Sequence, residues 1–356
     1  MPYREKAASH PGGVVDLSIG TPIDPTPAAI QQELKANADA PGYPTAEGSP
    51  QLREAIVTWW ARRRHARLTT DGVFPTIGSK ELVGLLPSLL GLGPGDIVVI
   101  PEIAYPTYEV GARLAGAEVL ASDDVATWGE NPRVKLVWVN SPSNPTGRVA
   151  SAQELAHVVA AARNIGAVVA SDECYAELMW DKPWTQQGVP SVLSPEVSGG
   201  DHTGLIAAYS LSKQSNLAGY RAALVAGDEE LIAKIGLLRR HLGMMIPAPI
   251  QQAMVVALKD DEHVRAQREV YRLRRERLKP ALRAAGFEIE HSNAGLYLWV
   301  RRDGMQAWDI VDYMAERGII VGSGTFYGER GANHVRVALT APDERVSEGA
   351  RRLADS

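Results

Sequence analysis

Residues 207–221 have the sequence AAYSLSKQSNLAGYR, which places Lys213, the serines beside it and Arg221 in one segment. The apolar run at residues 205–209 predicts a buried strand, and the small polar residues after it end the strand near Lys213. Ligands of open α/β sheets bind at that edge. Lys213 could be a solvated surface lysine. Alternatively, it is a desolvated amine that forms a Schiff base with an aldehyde cofactor, while the serines and Arg221 bind an anion such as phosphate.

Strands and helices alternate on both sides of this segment. Apolar runs predict strands at residues 73–77, 96–100, 117–120, 134–140, 167–171, 205–209 and 222–226. Helical patterns lie between several of them, at residues 82–90, 107–114 and 152–165. This alternation predicts an α/β fold with a mostly parallel, seven-stranded-type sheet and helices on both faces.

The two ends of the chain predict a second, smaller α+β domain. A strand is expected at residues 16–20, then a helix with Thr26 as N-cap and Pro27 as its first residue, and a second helix from Ser49. One long helical stretch runs from Pro249 to about Ala285, and strands at 287–290, 296–300, 319–321 and 334–339 with helices at 305–317 and 343–353 follow it. Because 356 residues exceed the usual size of one core, we predict a large domain of 46–245 and a discontinuous small domain of 1–45 and 246–356.

Composition and charge exclude several classes of protein. A net charge of -5 argues against a nucleic-acid or anionic-membrane partner. The basic runs at 62–64 and 272–279 fall in helical patterns, so solvated helix faces are expected there. No apolar core segment follows Met1 and no run of about 18 apolar residues occurs, so we expect a cytoplasmic protein without membrane spans. The single Cys174 excludes an internal disulfide and is expected to be buried, and metal-site spacing is absent.

Polar groups follow other predicted strands as well. The turn at residues 140–147 has the sequence NSPSNPTG, and Asp172 comes directly after the apolar run at 167–171. A buried Asp172 needs a cation or a donor, and a protonated pyridine nitrogen would serve. Ser79 and Lys80 begin a helix whose free amides suit an anion, and Arg336 alternates with apolar residues in a late strand. An amine, a carboxylate and anion donors are the groups that pyridoxal phosphate requires.

These motifs resemble those of the class I/II aminotransferases of fold type I. The matching segments are Asn144-Pro145-Thr146-Gly147, Asp172 with Tyr175, and Ser210-Leu211-Ser212-Lys213 with Arg221. Their order, the 28-residue gap from Asn144 to Asp172 and the eight-residue gap from Lys213 to Arg221 make the match specific.

The resemblance implies a role for each matching residue. Catalytic roles fall to Lys213, which forms the Schiff base and then shuttles the substrate's α-proton, to Asp172, which pairs with the pyridine nitrogen, and to Tyr175. Asn144 and Tyr175 would bind the ring oxygen, and Tyr105 would stack on the ring. Several residues would bind the phosphate. They are Ser79 and Lys80 through their amides, Ser210, Ser212 and Arg221, and Tyr43 from the partner subunit of a homodimer. Arg336 would bind the substrate carboxylate, with Asn144 and Gly20 close by.

Over nearly the whole chain the resemblance is closest to bacterial succinyldiaminopimelate aminotransferases of lysine and diaminopimelate biosynthesis. The long matching stretches are residues 17–27, 101–110, 140–147, 209–221, 243–247 and 251–254. The implied reaction moves an amino group between glutamate with 2-oxoglutarate and N-succinyl-diaminopimelate with N-succinyl-2-amino-6-oxopimelate. No motif marks the receptor of the substrate's distal carboxylate; Lys80 and the Met244-Met245 loop are candidate neighbours.

Other functions fit parts of the pattern. A different class I/II aminotransferase, for aspartate or another amino acid, or a pyridoxal phosphate lyase or acyltransferase, would share the same lysine, aspartate and arginine. Ser210 and Lys213 also match the S-x-x-K signature of serine acyl hydrolases, but the partner motifs S-D-N and K-T-G are absent from the sequence. A regulator on this fold would need an added DNA-binding segment. Dinucleotide and Walker A motifs are absent too.

Overall fold

The computed structural model describes residues 2–354. Its strands, in chain order, are β1 (Val15–Asp16), β2 (Val73–Ile77), β3 (Ile97–Ile100), β4 (Glu118–Ala121), β5 (Val134–Asn140), β6 (Val168–Asp172), β7 (Leu205–Ser210), β8 (Ala222–Gly227), β9 (Glu288–Glu290), β10 (Tyr297–Arg301), β11 (Ile319–Ile320), β12 (Gly322–Ser323) and β13 (His334–Ala338). Its α-helices are α1 (Pro2–Ala8), α2 (Ala28–Ala36), α3 (Pro50–Arg64), α4 (Ser79–Leu89), α5 (Thr107–Leu114), α6 (Ala152–Asn164), α7 (Trp184–Gln187), α8 (Pro195–Ser198), α9 (Leu211–Gln214), α10 (Glu229–His241), α11 (Ala248–Lys259), α12 (Glu262–Ala284), α13 (Ala307–Glu316) and α14 (Asp343–Ala354).

A seven-stranded sheet with the order β2-β8-β7-β6-β5-β3-β4 forms the centre of the fold. Strands β3 to β7 are parallel to one another, and β8 is antiparallel to both of its neighbours. Successive residues of β7 point to opposite faces: Ala207 and Tyr209 pack in one core with α3, α6 and α11, whereas Ile206 and Ala208 pack in another with α4, α5 and α10. The predicted α/β class with helices on both faces is confirmed.

The chain ends form a second core. The antiparallel sheet β12-β13-β10-β9 and the parallel pair β1-β11 pack with α12, α13 and α14. Tyr175, Leu178 and Trp180, which follow β6, also pack in this second core and so connect the two sheets. The domain boundaries at residues 45/46 and 245/246 stay a prediction.

Two local predictions were wrong because side chains found other partners. The N-cap of α2 is Pro27 rather than Thr26, since the Thr26 hydroxyl instead donates to the Asn216 carbonyl at 3.1 Å. The helical stretch after Pro249 is two helices separated at residues 260–261. There the Asp260 carboxylate accepts from the Glu262 amide at 2.8 Å, a local bond of the kind that competes with a continuous helix.

The basic runs are not simply solvated helix faces. Arg64 is buried and donates to the Glu173 carboxylate at 2.7 Å, with both side chains 1% exposed. Arg274 and Arg275 in α12 are also buried, and their guanidinium groups bond to Asp24 and Asp181. The predicted solvated faces are wrong at these three positions, because carboxylates from distant segments compensate the buried charge. Cys174 is buried, as expected.

Within residues 2–354, every helix is too short or too polar to cross a bilayer.

Candidate active site

The carboxyl ends of β5, β6 and β7 meet at one edge of the large sheet. Asn140 pairs with Asp172, and Asp172 pairs with Ala208, in the parallel register of these strands. The turn that contains Asn144, the segment from Asp172 to Tyr175 and the short helix α9 with Lys213 therefore all start from the same edge. Their neighbourhood, expected from three separate sequence motifs, follows from the strand order.

Lys213 lies half-buried in α9, directly after β7. Its ammonium donates to the Gly20 carbonyl at 2.7 Å, so it is not a freely solvated surface lysine. Burial raises the pKa of the nearby Asp172, and the positive charge of Lys213 is one of the groups that partly oppose this rise. The lysine thus faces a cleft that both the large sheet and the first segment of the chain form.

Asp172 is buried and holds two donors. Its carboxylate accepts from the Tyr108 hydroxyl at 3.0 Å and from the Cys174 amide at 3.2 Å. Burial raises the pKa of Asp172, and the hydrogen bonds from Cys174 and Tyr108 partly oppose that rise. Sequence reasoning missed Tyr108, which stacks on Trp138 of β5 with ring centroids 4.8 Å apart. The available signal was a second tyrosine three residues after Tyr105, at the start of α5.

An anion cradle lies between the start of α4 and Arg221. Gly78 precedes Ser79 with a positive φ of 72°, and a Cβ on Gly78 would lie 2.1 Å from a guanidinium nitrogen of Arg221. Only glycine allows this approach. The first amides of α4 have no intrahelical acceptor, so they and the exposed guanidinium present donors to one space. This arrangement fits the phosphate group of a cofactor.

Ser210 and Ser212 are buried beside this cradle, at the end of β7. The Ser210 hydroxyl accepts from the Ser212 amide at 3.2 Å, which begins α9 and fixes both serines next to Lys213. The structure therefore brings the serines, the lysine and the β7–β8 connection with Arg221 together, as the sequence motif implied.

Arg336 of β13 reaches the same cleft from the small sheet. Its guanidinium donates to the Asn144 side-chain oxygen at 3.1 Å and to the Ser18 carbonyl at 2.8 Å. It also lies over the Tyr297 ring, with its central carbon 4.0 Å from the ring centroid. The arginine is thus held by three different segments of the chain and still has the remaining N–H groups of its fork to offer.

Two buried tyrosines lie between these groups. The hydroxyls of Tyr175 and Tyr297 are 3.2 Å apart, and burial raises the pKa of Tyr175 well above its ordinary value. A Cβ on Gly20 would lie 1.9 Å from the Tyr297 hydroxyl oxygen, which explains why this position is a glycine. Tyr297 lies in no recognisable motif, and the sequence did not predict it as a site residue. The one available signal was its position at the start of an apolar strand, which indicates a buried side chain.

Tyr105 and Lys80 form the outer side of the cleft. Lys80 is exposed, and its ammonium lies 5.5 Å from the centroid of the half-buried Tyr105 ring. Among residues 2–354, no carboxylate forms an ion pair with Lys80. Tyr43 stands apart from every other predicted site residue: it is 98% exposed, so a single chain does not bring it to the cleft.

A cavity of about 750 Å³ lies behind the turn that carries Asn144. Asn140, Arg148, His291 and His334 are among its lining residues, but Lys213, Asp172, Arg221 and Arg336 are not. The candidate site is therefore identified by its converging hydrogen-bond donors and charged side chains, and not by the volume of a cavity.

Comparisons with known proteins give the family. The family model described as aminotransferase class I and II matches residues 12–353. A probable aminotransferase of Mycobacterium tuberculosis is 54% identical over 348 residues, or 98% of this chain and 82% of that protein. The 4-dedimethylamino-4-oxo-anhydrotetracycline transaminase of Streptomyces rimosus is 50% identical over 353 residues, or 99% and 96%.

Two further matches carry diaminopimelate in their names. An LL-diaminopimelate aminotransferase of Dehalococcoides mccartyi is 34% identical over 359 residues, or 96% of this chain and 90% of that protein. The solved structure of a probable N-succinyldiaminopimelate aminotransferase from Thermus thermophilus superposes with a TM-score of 0.87 at 29% identity, covering 99% of this chain and 98% of that chain.

Proposed function

We propose a substrate for this chain from one premise: it belongs to the class I and II aminotransferases, which are pyridoxal phosphate-dependent enzymes of fold type I. The predicted family, fold and cofactor are thereby confirmed. The proposed reaction exchanges an amino group between glutamate with 2-oxoglutarate and N-succinyl-diaminopimelate with N-succinyl-2-amino-6-oxopimelate. A cytoplasmic location belongs to the same proposal.

The observation that carries the substrate proposal is a second cation at the cleft. Arg336 suits an α-carboxylate because its planar fork matches a carboxylate. Lys80, exposed beside Tyr105 and without an ion-pair partner in residues 2–354, suits a second, distal carboxylate. Glutamate and the succinylated substrate both carry one. The names of the Thermus thermophilus and Dehalococcoides mccartyi proteins support a diaminopimelate skeleton.

The positions of the residues support the proposed cofactor contacts. Pyridoxal phosphate, when bound, supplies an aldehyde that captures the substrate amine and a ring that withdraws electrons from the α-carbon. Lys213 would move the α-proton, because its amine is the basic group at the centre of the cleft. Asp172 would keep a positive charge on the pyridine nitrogen through its buried carboxylate.

The remaining residues would bind and orient. Asn144 and Tyr175 would donate to the ring oxygen, and Tyr105 would cover one ring face. The phosphate would lie in the anion cradle, with donors from Ser79, Lys80, Ser210, Ser212 and Arg221. Arg336 would hold the substrate carboxylate near Asn144 and the Gly20 carbonyl, which fixes the α-carbon within reach of Lys213.

A homodimer would complete the site. Tyr43 is almost fully exposed in the single chain, and the apolar residues Ile19, Ile23, Val110 and Leu114 are more than half exposed. Burying these side chains against a second copy would remove apolar surface from water and could deliver Tyr43 to the neighbouring phosphate cradle. Light scattering of the purified protein tests this: a monomer at micromolar concentration would contradict it.

Half-reactions against a panel of amino donors test the substrate. With N-succinyl-diaminopimelate or glutamate, the visible absorbance of the bound cofactor should convert to that of its amine form in a single turnover. LL-diaminopimelate, aspartate and aromatic amino acids form the comparison set. Conversion only by the comparison set would remove the succinylated substrate while leaving the aminotransferase class intact.

One relative favours a second candidate substrate. The Streptomyces rimosus protein that is 50% identical over 99% of this chain is named for amination of an oxo-anhydrotetracycline. A polycyclic ketone is therefore the alternative amino acceptor. Adding such a ketone to the amine form of the enzyme, with glutamate as the donor, distinguishes the two candidates.

Lys80→Ala is expected to raise KM for glutamate about tenfold, since one charge-assisted hydrogen bond at an exposed site is worth roughly 1.5 kcal/mol. The KM for alanine, which lacks a distal carboxylate, should not change. Cofactor affinity should also stay the same because the backbone amide of residue 80 remains. Lys234→Ala, at an exposed lysine of α10, is the control. Equal effects on glutamate and alanine would show that Lys80 does not recognise the distal carboxylate.

Tyr108→Phe is expected to lower kcat about tenfold with little change in KM. Without the 3.0 Å hydrogen bond from Tyr108, burial raises the pKa of Asp172 further, so the carboxylate stabilises the pyridinium less well. The loss of one hydrogen bond to a charged group is worth about 1.5–3 kcal/mol. Steady-state kinetics measure the effect, and Tyr313→Phe in α13 is the matched control. An unchanged kcat would show that Tyr108 only fills space.

A further inference from the structure

We propose that Tyr297 is a positioning residue that couples the two ends of the active site: its ring orients Arg336, and its hydroxyl orients the hydroxyl of Tyr175. The proposal deepens the function proposed above and rests on the roles given there to Tyr175 and Arg336. It assigns a role to a residue that no sequence motif marks.

The strand register places Tyr297 beside Arg336. On the antiparallel pair β10 and β13, Tyr297 is opposite Ala338 and Trp299 is opposite Arg336. Tyr297 and Arg336 are therefore diagonal neighbours on one face, a separation that long side chains bridge. The guanidinium carbon lies 4.0 Å from the ring centroid, within the range of a cation–π contact.

The ring completes the support of the guanidinium. Ser18 and Asn144 accept hydrogen bonds at its edge, but neither restrains its plane from the face. The Tyr297 ring supplies that face, and the more distant Tyr327 ring lies 5.3 Å from the guanidinium carbon. A fork held in one plane loses less entropy when it binds a carboxylate, so the ring should lower KM.

The hydroxyl acts at the other end. Tyr297 and Tyr175 are both buried, and each hydroxyl has the other as its partner at 3.2 Å. Burial favours a raised pKa for Tyr297, but the charges of Arg336 and Lys213 outweigh burial and lower it. Burial and the neighbouring Tyr297 raise the pKa of Tyr175. Either hydroxyl can donate in this pair, and the proposal gives the donor role to Tyr297 because the Arg336 guanidinium carbon, 4.0 Å from the centroid of its ring, favours the more acidic hydroxyl there.

A donating Tyr297 leaves the proton of Tyr175 free. With Tyr297 as the donor, the Tyr175 oxygen is the acceptor, and the Tyr175 O–H can point toward the ring oxygen of the cofactor rather than toward Tyr297. The titratable groups around Tyr297 are Tyr175 after β6, Arg336 on β13, Lys213 in α9, Tyr271 in α12 and Tyr327 between β12 and β13. Gly20 fits against the hydroxyl from the remaining side, where any larger residue would displace it.

Two substitutions in the holoenzyme separate the hydroxyl from the ring. Tyr297→Phe keeps the ring and should leave KM for glutamate within about twofold. It should shift the pH midpoint of the cofactor's visible absorption in the resting enzyme, because Tyr175 loses the donor that orients it. Tyr297→Leu also removes the cation–π contact and should raise KM about fivefold more. Thermal unfolding of both variants controls for general loss of structure.

Tyr175→Phe and the double variant Tyr175→Phe/Tyr297→Phe identify the path. If Tyr297 acts through Tyr175, the double variant should have the same absorbance midpoint as Tyr175→Phe alone. A Tyr297→Phe enzyme with the wild-type midpoint, beside a shifted Tyr175→Phe enzyme, overturns the role of the hydroxyl only. An unshifted Tyr175→Phe enzyme overturns the role proposed for Tyr175 itself, and that of the Tyr297 hydroxyl with it. Equal KM values for the Phe and Leu variants overturn the role of the ring.

Discussion

Lys213→Ala is expected to reduce turnover by about 10⁴-fold or more, the upper end of what a positioned acid–base group contributes. The lysine is half-buried at the end of β7, its ammonium lies 2.7 Å from the Gly20 carbonyl, and its charge reaches the buried Asp172. In the proposed site, Lys213 is the one amine that reaches the substrate's α-carbon. The variant should therefore retain the fold and the phosphate cradle but lose proton transfer.

Borohydride reduction gives a second, independent measurement of this prediction. The wild-type protein should incorporate the cofactor covalently, and peptide mapping should locate it at Lys213. Lys213→Ala should show no reducible linkage but should still bind pyridoxal phosphate through Arg221 and the amides of α4. Lys234→Ala should behave like the wild type. A Lys213→Ala protein that keeps its activity would overturn the central assignment of the site.

Arg64→Met is expected to lower the free energy of unfolding by about 3–5 kcal/mol. Arg64 and Glu173 are both buried, and the remaining bonds of Glu173 come from Ser191 and the Val192 amide. Removing the guanidinium leaves a buried carboxylate without its cation. Because Glu173 follows Asp172 directly, the loss also loosens the segment that carries Asp172 and Tyr175.

Urea unfolding of matched variants measures the cost. The control is Arg113→Ala, which breaks an ion pair with Glu109 whose two side chains are 70% and 45% exposed; such a pair is worth about 0–1 kcal/mol. The double variant Arg64→Met/Glu173→Gln should recover part of the stability, since no uncompensated charge remains. If Arg64→Met were no more destabilising than Arg113→Ala, the buried pair would not hold this segment.

Local sequence was sufficient for the large sheet and for the lysine segment. Its strands are short runs of apolar residues because helices cover both faces of the sheet, and such runs are easily distinguished from the helical patterns between them. The helix α3 starts at Ser49 and Pro50 as expected, and the Ser49 hydroxyl caps it by accepting from the Leu52 amide at 3.2 Å. Thr26 did not cap α2, although it has the same chemistry, because its hydroxyl found a tertiary partner in Asn216.

The candidate site likewise has features that local sequence determines and features that tertiary packing determines. The sequence by itself determined which groups are available at the strand ends: Lys213, Asp172, Asn144 and Arg221 lie in loops whose composition and spacing depend only on their own segments. The tertiary structure alone decided what surrounds them. Tyr108 reaches Asp172 from α5, Tyr297 reaches Tyr175 and Arg336 from β10, and Arg64 reaches Glu173 from α3. The hydrogen bonds among these contacts join residues 64 to 122 positions apart, and a contact between distant segments leaves no local pattern because it depends on how the sheets and helices pack.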